Sequence, residues 1–161
     1  MLLNAVIIIL REVIEASLII SVFLAFSQTF HKSSRWLFIA LAIGLSFATL
    51  YAININVVSE WFEGVGLDIF NAATHIMIYL ILVIFSIVAL QGKRSDDHRL
   101  ISWIMIAGVS FATLREGSEI ILYIDGFSSI PELLQPILLG SAIGAGIGLS
   151  VGVLFYYLLV N

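Results

Sequence analysis

Five apolar stretches, each longer than the roughly 20 residues that a helix needs to cross the hydrocarbon core of a bilayer, occupy most of this 161-residue chain. They cover residues 2–30, 36–58, 69–91, 100–124 and 137–160. Charged residues make up only 11% of the chain, against about 25% in soluble proteins, which is too few to cover a surface in water. The pattern predicts an all-α integral membrane protein, with residues 1–161 forming a single transmembrane domain of five helices.

The orientation of these helices in the membrane is predicted by the lysine and arginine residues in the connections between them. The first and third connections contain all the bases outside the apolar stretches, whereas the second and fourth contain acids and no base; the bases are Lys32, Arg35, Lys93, Arg94 and Arg99. By the positive-inside rule the first and third loops are cytoplasmic and the N-terminus is outside. The first stretch carries charges in its middle and lacks a basic leading segment, so we interpret it as a span rather than a signal peptide. The prediction is a multi-pass protein of the cell (plasma or inner) membrane.

Two of the apolar stretches are interrupted by the same charged pattern. The first contains Arg11, Glu12 and Glu15, and the fourth contains Arg115, Glu116 and Glu119. A charge at the centre of a membrane helix costs about 2.5–3.5 kcal/mol on insertion scales, so six such residues cannot face lipid. They must face a polar interior, pair with one another or contact a hydrated ion.

The spacing within each pattern places the two glutamates on one face of a helix, with the arginine one turn away. Together the two helices offer four carboxylates and two guanidiniums. Carboxylate oxygens suit hard cations, and iron also accepts them. The chain contains no cysteine, so a metal ion must be bound through oxygen or imidazole. The candidate metal ligands are therefore Glu12, Glu15, Glu116 and Glu119, with Arg11 and Arg115 as supporting charges.

The two patterns lie in spans three apart, which cross the membrane in opposite directions. Counted from the outer ends of their spans, both patterns lie at similar depth, in the outer half near the midplane. This arrangement is expected of an inverted-repeat transporter, whose ion site lies between corresponding helices of the two halves. Five spans would form an incomplete 3+3 inverted-repeat bundle.

At this point the residues resemble those of a known family, the high-affinity, oxidase-dependent iron permeases. The similarity is carried by the paired Arg-Glu-x-x-Glu motifs, by residues 11–19 as a whole, by residues 66–70 and by the glycine-rich last span. It implies iron ions as transported substrate, motif glutamates as iron ligands, no organic cofactor and a separate iron-oxidising partner. Val13, Ser118 and Asn71 depart from the family pattern, and members generally have seven spans. The chain is then either a fragment or completes its bundle by association, for example as a homo-oligomer.

Other polar residues have both ordinary and functional interpretations. Glu60, Glu63 and Asp68 belong to an acidic outer loop, which is either simply solvated or an entry site that concentrates cations. His75 is interpreted as a hydrogen-bonded interior histidine before it is considered as a ligand. Asn54 and Asn56 are expected to bond across helices or to mark the end of the second span.

The last apolar stretch has glycines at steps of four residues, at Gly140, Gly144, Gly148 and Gly152. This spacing keeps small residues on one face and favours close helix packing, either with a motif helix of the same chain or with another protomer. Pro131 and Pro136 are expected in the preceding outer loop, as a turn and a helix entry.

These features predict a permease that moves iron through a glutamate-lined site between the first and fourth helices. The alternatives are a proton-coupled transporter of another cation or solute, and a non-transporting assembly subunit in which the charged triads hold the helices together. No nucleophile and base pair occurs at recognisable spacing, so an enzyme is not expected. Acids outnumber bases by 11 to 7, so the expected partner is membrane lipid and not nucleic acid.

Overall fold

The computed structural model describes residues 2–29, 35–91 and 98–161, which are almost entirely helical. This part of the chain contains six α-helices and one short 3-10 turn, at Trp61–Gly64. The helices are α1 (Leu2–Thr29), α2 (Arg35–Ile53), α3 (Ile55–Glu60), α4 (Gly66–Gln91), α5 (His98–Asp125) and α6 (Pro131–Val160).

Four of these helices are long and apolar enough to cross a membrane. Their apolar segments are Arg35–Ile53, Gly66–Leu90, Arg99–Asp125 and Pro131–Val160. The described residues therefore have the helix lengths and composition of a multi-pass membrane protein. The helix α1, with 28 residues, is also long enough to cross a membrane, and like α5 it carries two glutamates and an arginine within its length.

The second apolar stretch does not form one helix over residues 36–58, so that prediction is wrong. The helix breaks at Asn54, between the end of α2 and the start of α3. The Asn54 side-chain amide donates a hydrogen bond to the carbonyl oxygen of Leu50, at 2.8 Å. Because asparagine can bond its own backbone, it competes with helix propagation. Asn54 thus marks the end of the second apolar helix and does not bond across to a neighbour.

The last helix begins six residues earlier than predicted. Pro131 occupies the first turn of α6, where its missing N–H is not needed, and Ile130 before it has the extended backbone that a following proline favours. Pro136 lies inside the helix, so its placement in the loop is wrong.

The described residues divide into two compact units, which we treat separately. The first unit contains α1, α6 and the part of α5 from Glu116 onward. Its main packing is between α1 and α6, which run parallel: Gly140 lies against Leu2 and Ala5, and Gly152 against Ser17. Near their other ends, the Gln28 amide donates a hydrogen bond to the Tyr156 hydroxyl.

Close approach of α1 and α6 depends on the glycines of α6. A Cβ atom at Gly144 would lie 2.6 Å from the carbonyl oxygen of Val6 and 3.0 Å from the amide nitrogen of Leu10. Such contacts are below van der Waals distance, so no side chain fits. Ser21 adds a hydrogen bond from its hydroxyl to the carbonyl oxygen of Gly152, at 2.9 Å. The four glycines therefore pack against the motif helix of the same chain.

The second unit contains α2, α3, α4 and α5 as far as Arg115. Small residues let α2 and α5 approach closely, since a Cβ at Gly44 would lie 2.6 Å from the Thr113 Cβ. The Ser110 hydroxyl donates to the carbonyl oxygen of Ala40 at 3.1 Å. Stacked rings of Tyr51 and Phe70, with centroids 4.0 Å apart, join α2 to α4.

Candidate metal-binding site

Three of the four predicted glutamate ligands lie together in the first unit. Glu12, Glu116 and Glu119 each offer a carboxylate oxygen, and these oxygens all lie within 4.8 Å of one another. Glu12 and Glu116 are each only 3% exposed, and Glu119 is partly buried. Residues far apart in sequence thus form a compact acidic cluster, which we call the glutamate cluster.

Local helix geometry positions the two glutamates of α5, and the packing of α1 on α6 holds Glu12 on α1. Glu116 and Glu119 are three residues apart on α5 and so project from one face of it. Glu12 precedes Val13, which lies directly against Gly148 of α6. The contacts between the α6 glycines and α1 therefore fix the position of Glu12 along the axis of α6. Any axial shift of α1 would bring its side chains into the backbone of α6.

The dimensions of the glutamate cluster suit a metal ion. Hard cations lie about 2.0–2.6 Å from their oxygen ligands, so two oxygens on one ion are separated by no more than about 5 Å. Three carboxylates this close repel one another when they are ionised, and a cation between them would relieve that repulsion. The donor set is all oxygen, which is appropriate for hard cations and for iron.

Glu15 is not among the clustered ligands. Its Oε1 accepts a hydrogen bond from Arg11 Nε at 3.0 Å, across one helical turn. The same nitrogen lies 3.7 Å from an oxygen of Glu12. Arg11 is 65% exposed and Glu15 39% exposed at their side chains, so this pair lies at the open side of α1, next to the cluster.

The two arginines differ in their surroundings. Arg115 is 7% exposed, whereas Arg11 is mostly exposed. Sequence symmetry between the motifs predicts equivalent supporting roles, but the structure places one guanidinium in the protein interior and the other near its surface. Ser118, between the two glutamates of α5, is buried at 3% exposure.

The predicted entry residues all lie in the second unit and are exposed. Glu60 ends α3, Glu63 lies in the 3-10 turn and Asp68 is in the first turn of α4. Phe62 and Glu63 have positive φ angles of 53° and 62°, and Gly64 follows at 96°. Three successive left-handed residues reverse the chain tightly, which places Glu63 at the tip of an exposed turn.

His75 is not an interior residue, contrary to expectation. It is exposed on α4, and its Nδ1 is 2.8 Å from the carbonyl oxygen of Asn71, four residues earlier. Asn71 is exposed as well. Sequence reasoning also missed the Ser21 hydrogen bond to α6, for which the four-residue spacing of Ser17 and Ser21 is the available signal.

Comparisons with protein-family models, with curated proteins and with solved structures find no match to this chain.

Proposed function

We propose that this protein is a membrane iron permease, in which iron ions pass into the cell through the glutamate cluster. The observation that carries the proposal is the convergence of Glu12, Glu116 and Glu119, from two helices, to within 4.8 Å in an otherwise apolar helical chain. Ionisable residues inside membrane proteins are costly, and they mark ion pathways more often than they serve packing.

The proposal treats α1 as a fifth span. Its parallel packing on α6 supports this, because two spans that run in the same direction must be separated by an odd number of crossings. Three candidate crossings, α2, α4 and α5, lie between them. With five crossings and the bases on the cytoplasmic side, the N-terminus is outside. The first unit would then hold the ion site between its α1 and α5 segments, as in an incomplete inverted repeat.

Charge balance supports a multivalent cation as the substrate. The three clustered glutamates carry a formal charge of −3 when ionised, which a ferrous or ferric ion largely neutralises. Arg11, 3.7 Å from Glu12 and hydrogen-bonded to Glu15, limits the negative charge of the empty site. Arg11 and Glu15 would therefore tune the affinity of the site, while the three clustered glutamates replace water around the ion.

Entry and release complete the mechanism. The exposed carboxylates of Glu60, Glu63 and Asp68 would raise the local concentration of cations at the outer surface, an effect that salt weakens. Rearrangement of the helices would then release iron toward the cytoplasm. A separate iron-oxidising protein is the partner that such a permease would use outside the cell.

Transport by purified protein in sealed vesicles tests this function. Vesicles loaded with a metal-sensitive dye are exposed to iron, manganese or calcium at two pH values, with protein-free vesicles as the control. We expect iron influx roughly tenfold or more above the control, since moving an unpaired charge into the low dielectric of lipid is very costly and the bilayer alone passes few multivalent ions. Folded protein that leaves the vesicles impermeable to iron would contradict the proposal. A flux of another cation that tracks the pH gradient, without iron flux, would favour proton-coupled transport instead.

A further inference from the structure

The helix α4 carries its exposed polar side chains along a single stripe. At about 100° per residue, positions 68, 75, 79 and 86 project within about 20° of a common direction, and position 71 lies beside them. These residues are Asp68, His75, Tyr79, Ser86 and Asn71, and all five are exposed. We call them the α4 polar stripe.

This stripe is distinct from both other faces of α4. One side of the stripe is flanked by buried residues, which project roughly 100° away from it: Thr74, Ile78 and Phe85. On the other side the exposed residues are apolar, and they include Ile76, Leu80 and Ile87. Packing within the described residues therefore covers one face of α4, and the exposed apolar face is suited to contact with lipid. Neither contact accounts for the polar side chains of the stripe.

With α4 placed as a span whose first turn lies at the outer boundary, as proposed above, His75 and Tyr79 lie inside the hydrocarbon core. His75 is nine residues after the start of α4, which corresponds to about 14 Å along the helix axis, and Tyr79 is about 6 Å further. Polar side chains at such depth almost always face protein or a water-filled cavity. The Ser86 hydroxyl donates a hydrogen bond to the carbonyl oxygen of Leu82, at 2.8 Å. The Tyr79 residue is 68% exposed.

The hydrogen-bonding groups of the stripe complement one another. Because the Asn71 carbonyl oxygen only accepts, the 2.8 Å contact assigns the proton to His75 Nδ1, and in the neutral imidazole Nε2 is then an acceptor. The Tyr79 hydroxyl is a donor, and helical side chains lean toward the N-terminus, so it reaches toward the level of His75. The Asn71 amide both donates and accepts, and can pair with its own copy.

We propose that the α4 polar stripe is the contact surface for a second copy of this chain, related by a two-fold axis normal to the membrane. Positions 68, 75 and 82 and positions 72, 79 and 86 each repeat every seven residues, which keeps one seam facing a parallel helix. Ala72 on this seam allows close approach. Asp68 lies in the first turn of α4, at the outer boundary, where water and salt screen its copy.

Single-cysteine crosslinking tests this interface, because the natural chain has no cysteine. Ala72→Cys lies on the seam, and Ala73→Cys, the matched control, is also exposed but projects about 100° away. Purified protein in vesicles is oxidised, and the disulfide-linked dimer is quantified on a denaturing gel. We expect at least about fivefold more dimer with Ala72→Cys, and His75→Leu in that background should lower it roughly threefold, as loss of an interhelical hydrogen bond implies.

Equal or greater crosslinking by Ala73→Cys would overturn the proposal, as would single-step photobleaching of labelled protein at every protein-to-lipid ratio. Because only the purified chain is present, a monomer in this assay excludes the second copy as the occupant. The assay does not involve iron, so its outcome is independent of the transport proposal.

Discussion

Replacing Glu116 with glutamine is expected to lower iron uptake into vesicles by about 100-fold, and Glu12→Gln is expected to do the same. Glutamine keeps the shape of the side chain but removes the charge, and both carboxylates are buried within the glutamate cluster. Loss of an outer-shell partner alone costs about 10- to 100-fold in metal affinity, so loss of a ligand should cost at least as much. The measurement is the initial rate of uptake of radioactive iron.

Two matched variants make this experiment specific. Glu132→Gln removes a carboxylate from the exposed first turn of α6 and should leave uptake unchanged. Glu15→Gln should reduce uptake only several-fold, because Glu15 bonds Arg11 rather than joining the cluster. Equal losses for Glu15→Gln and Glu116→Gln would contradict the three-ligand site. Thermal unfolding of each variant in detergent separates lost ligation from lost folding.

Adding one methyl group at Gly144 is expected to destabilise the protein. In Gly144→Ala the new Cβ would lie 2.6 Å from the Val6 carbonyl oxygen and 3.0 Å from the Leu10 amide nitrogen. Backbone atoms cannot move away cheaply, so α1 and α6 must separate. Overpacking of this kind costs about 1–3 kcal/mol, which corresponds to a decrease in Tm of roughly 3–10 °C for a chain of this size.

The same helix supplies the control for this prediction. At Gly146 no atom lies within 4 Å of a new Cβ among the described residues, and alanine has the higher helix propensity. Gly146→Ala should therefore leave Tm unchanged or raise it. Gly144→Ala should also lower iron uptake, because Val13, next to Glu12, packs on Gly148 of the same face. A Tm unaffected by Gly144→Ala would show that the close α1–α6 contact does not form.

Much of this arrangement follows from local patterns in the sequence. Apolar length predicts the long helices, and the four-residue glycine spacing predicts a close helix contact, although not which helix is the partner. The three-residue spacing of Glu116 and Glu119 places them on one face. Contacts such as Val13 against Gly148 fix the register between α1 and α6, but the approach of Glu12 on α1 to Glu116 and Glu119 on α5 is a tertiary contact that no local pattern predicts.

Other features depend on competition that residue patterns leave undecided. Glu15 and Glu119 occupy the same position in the two motifs, each four residues after an arginine, yet Glu15 bonds Arg11 whereas Glu119 lies in the glutamate cluster. Asn54 breaks an apolar stretch because its amide bonds the helix behind it. The sequence shows each polar residue of α4. Their common position on one stripe becomes informative only in the structure, where packing covers a different face of that helix.

Anomalous scattering at the iron absorption edge, from crystals of the protein soaked in iron, tests the central claim most directly. We predict one strong anomalous peak between the carboxylates of Glu12, Glu116 and Glu119, with oxygen distances of about 2.0–2.2 Å, and no such peak in Glu116→Gln crystals. Iron bound only at surface acids such as Glu60 and Glu63, with the three clustered carboxylates free of it, would contradict the account.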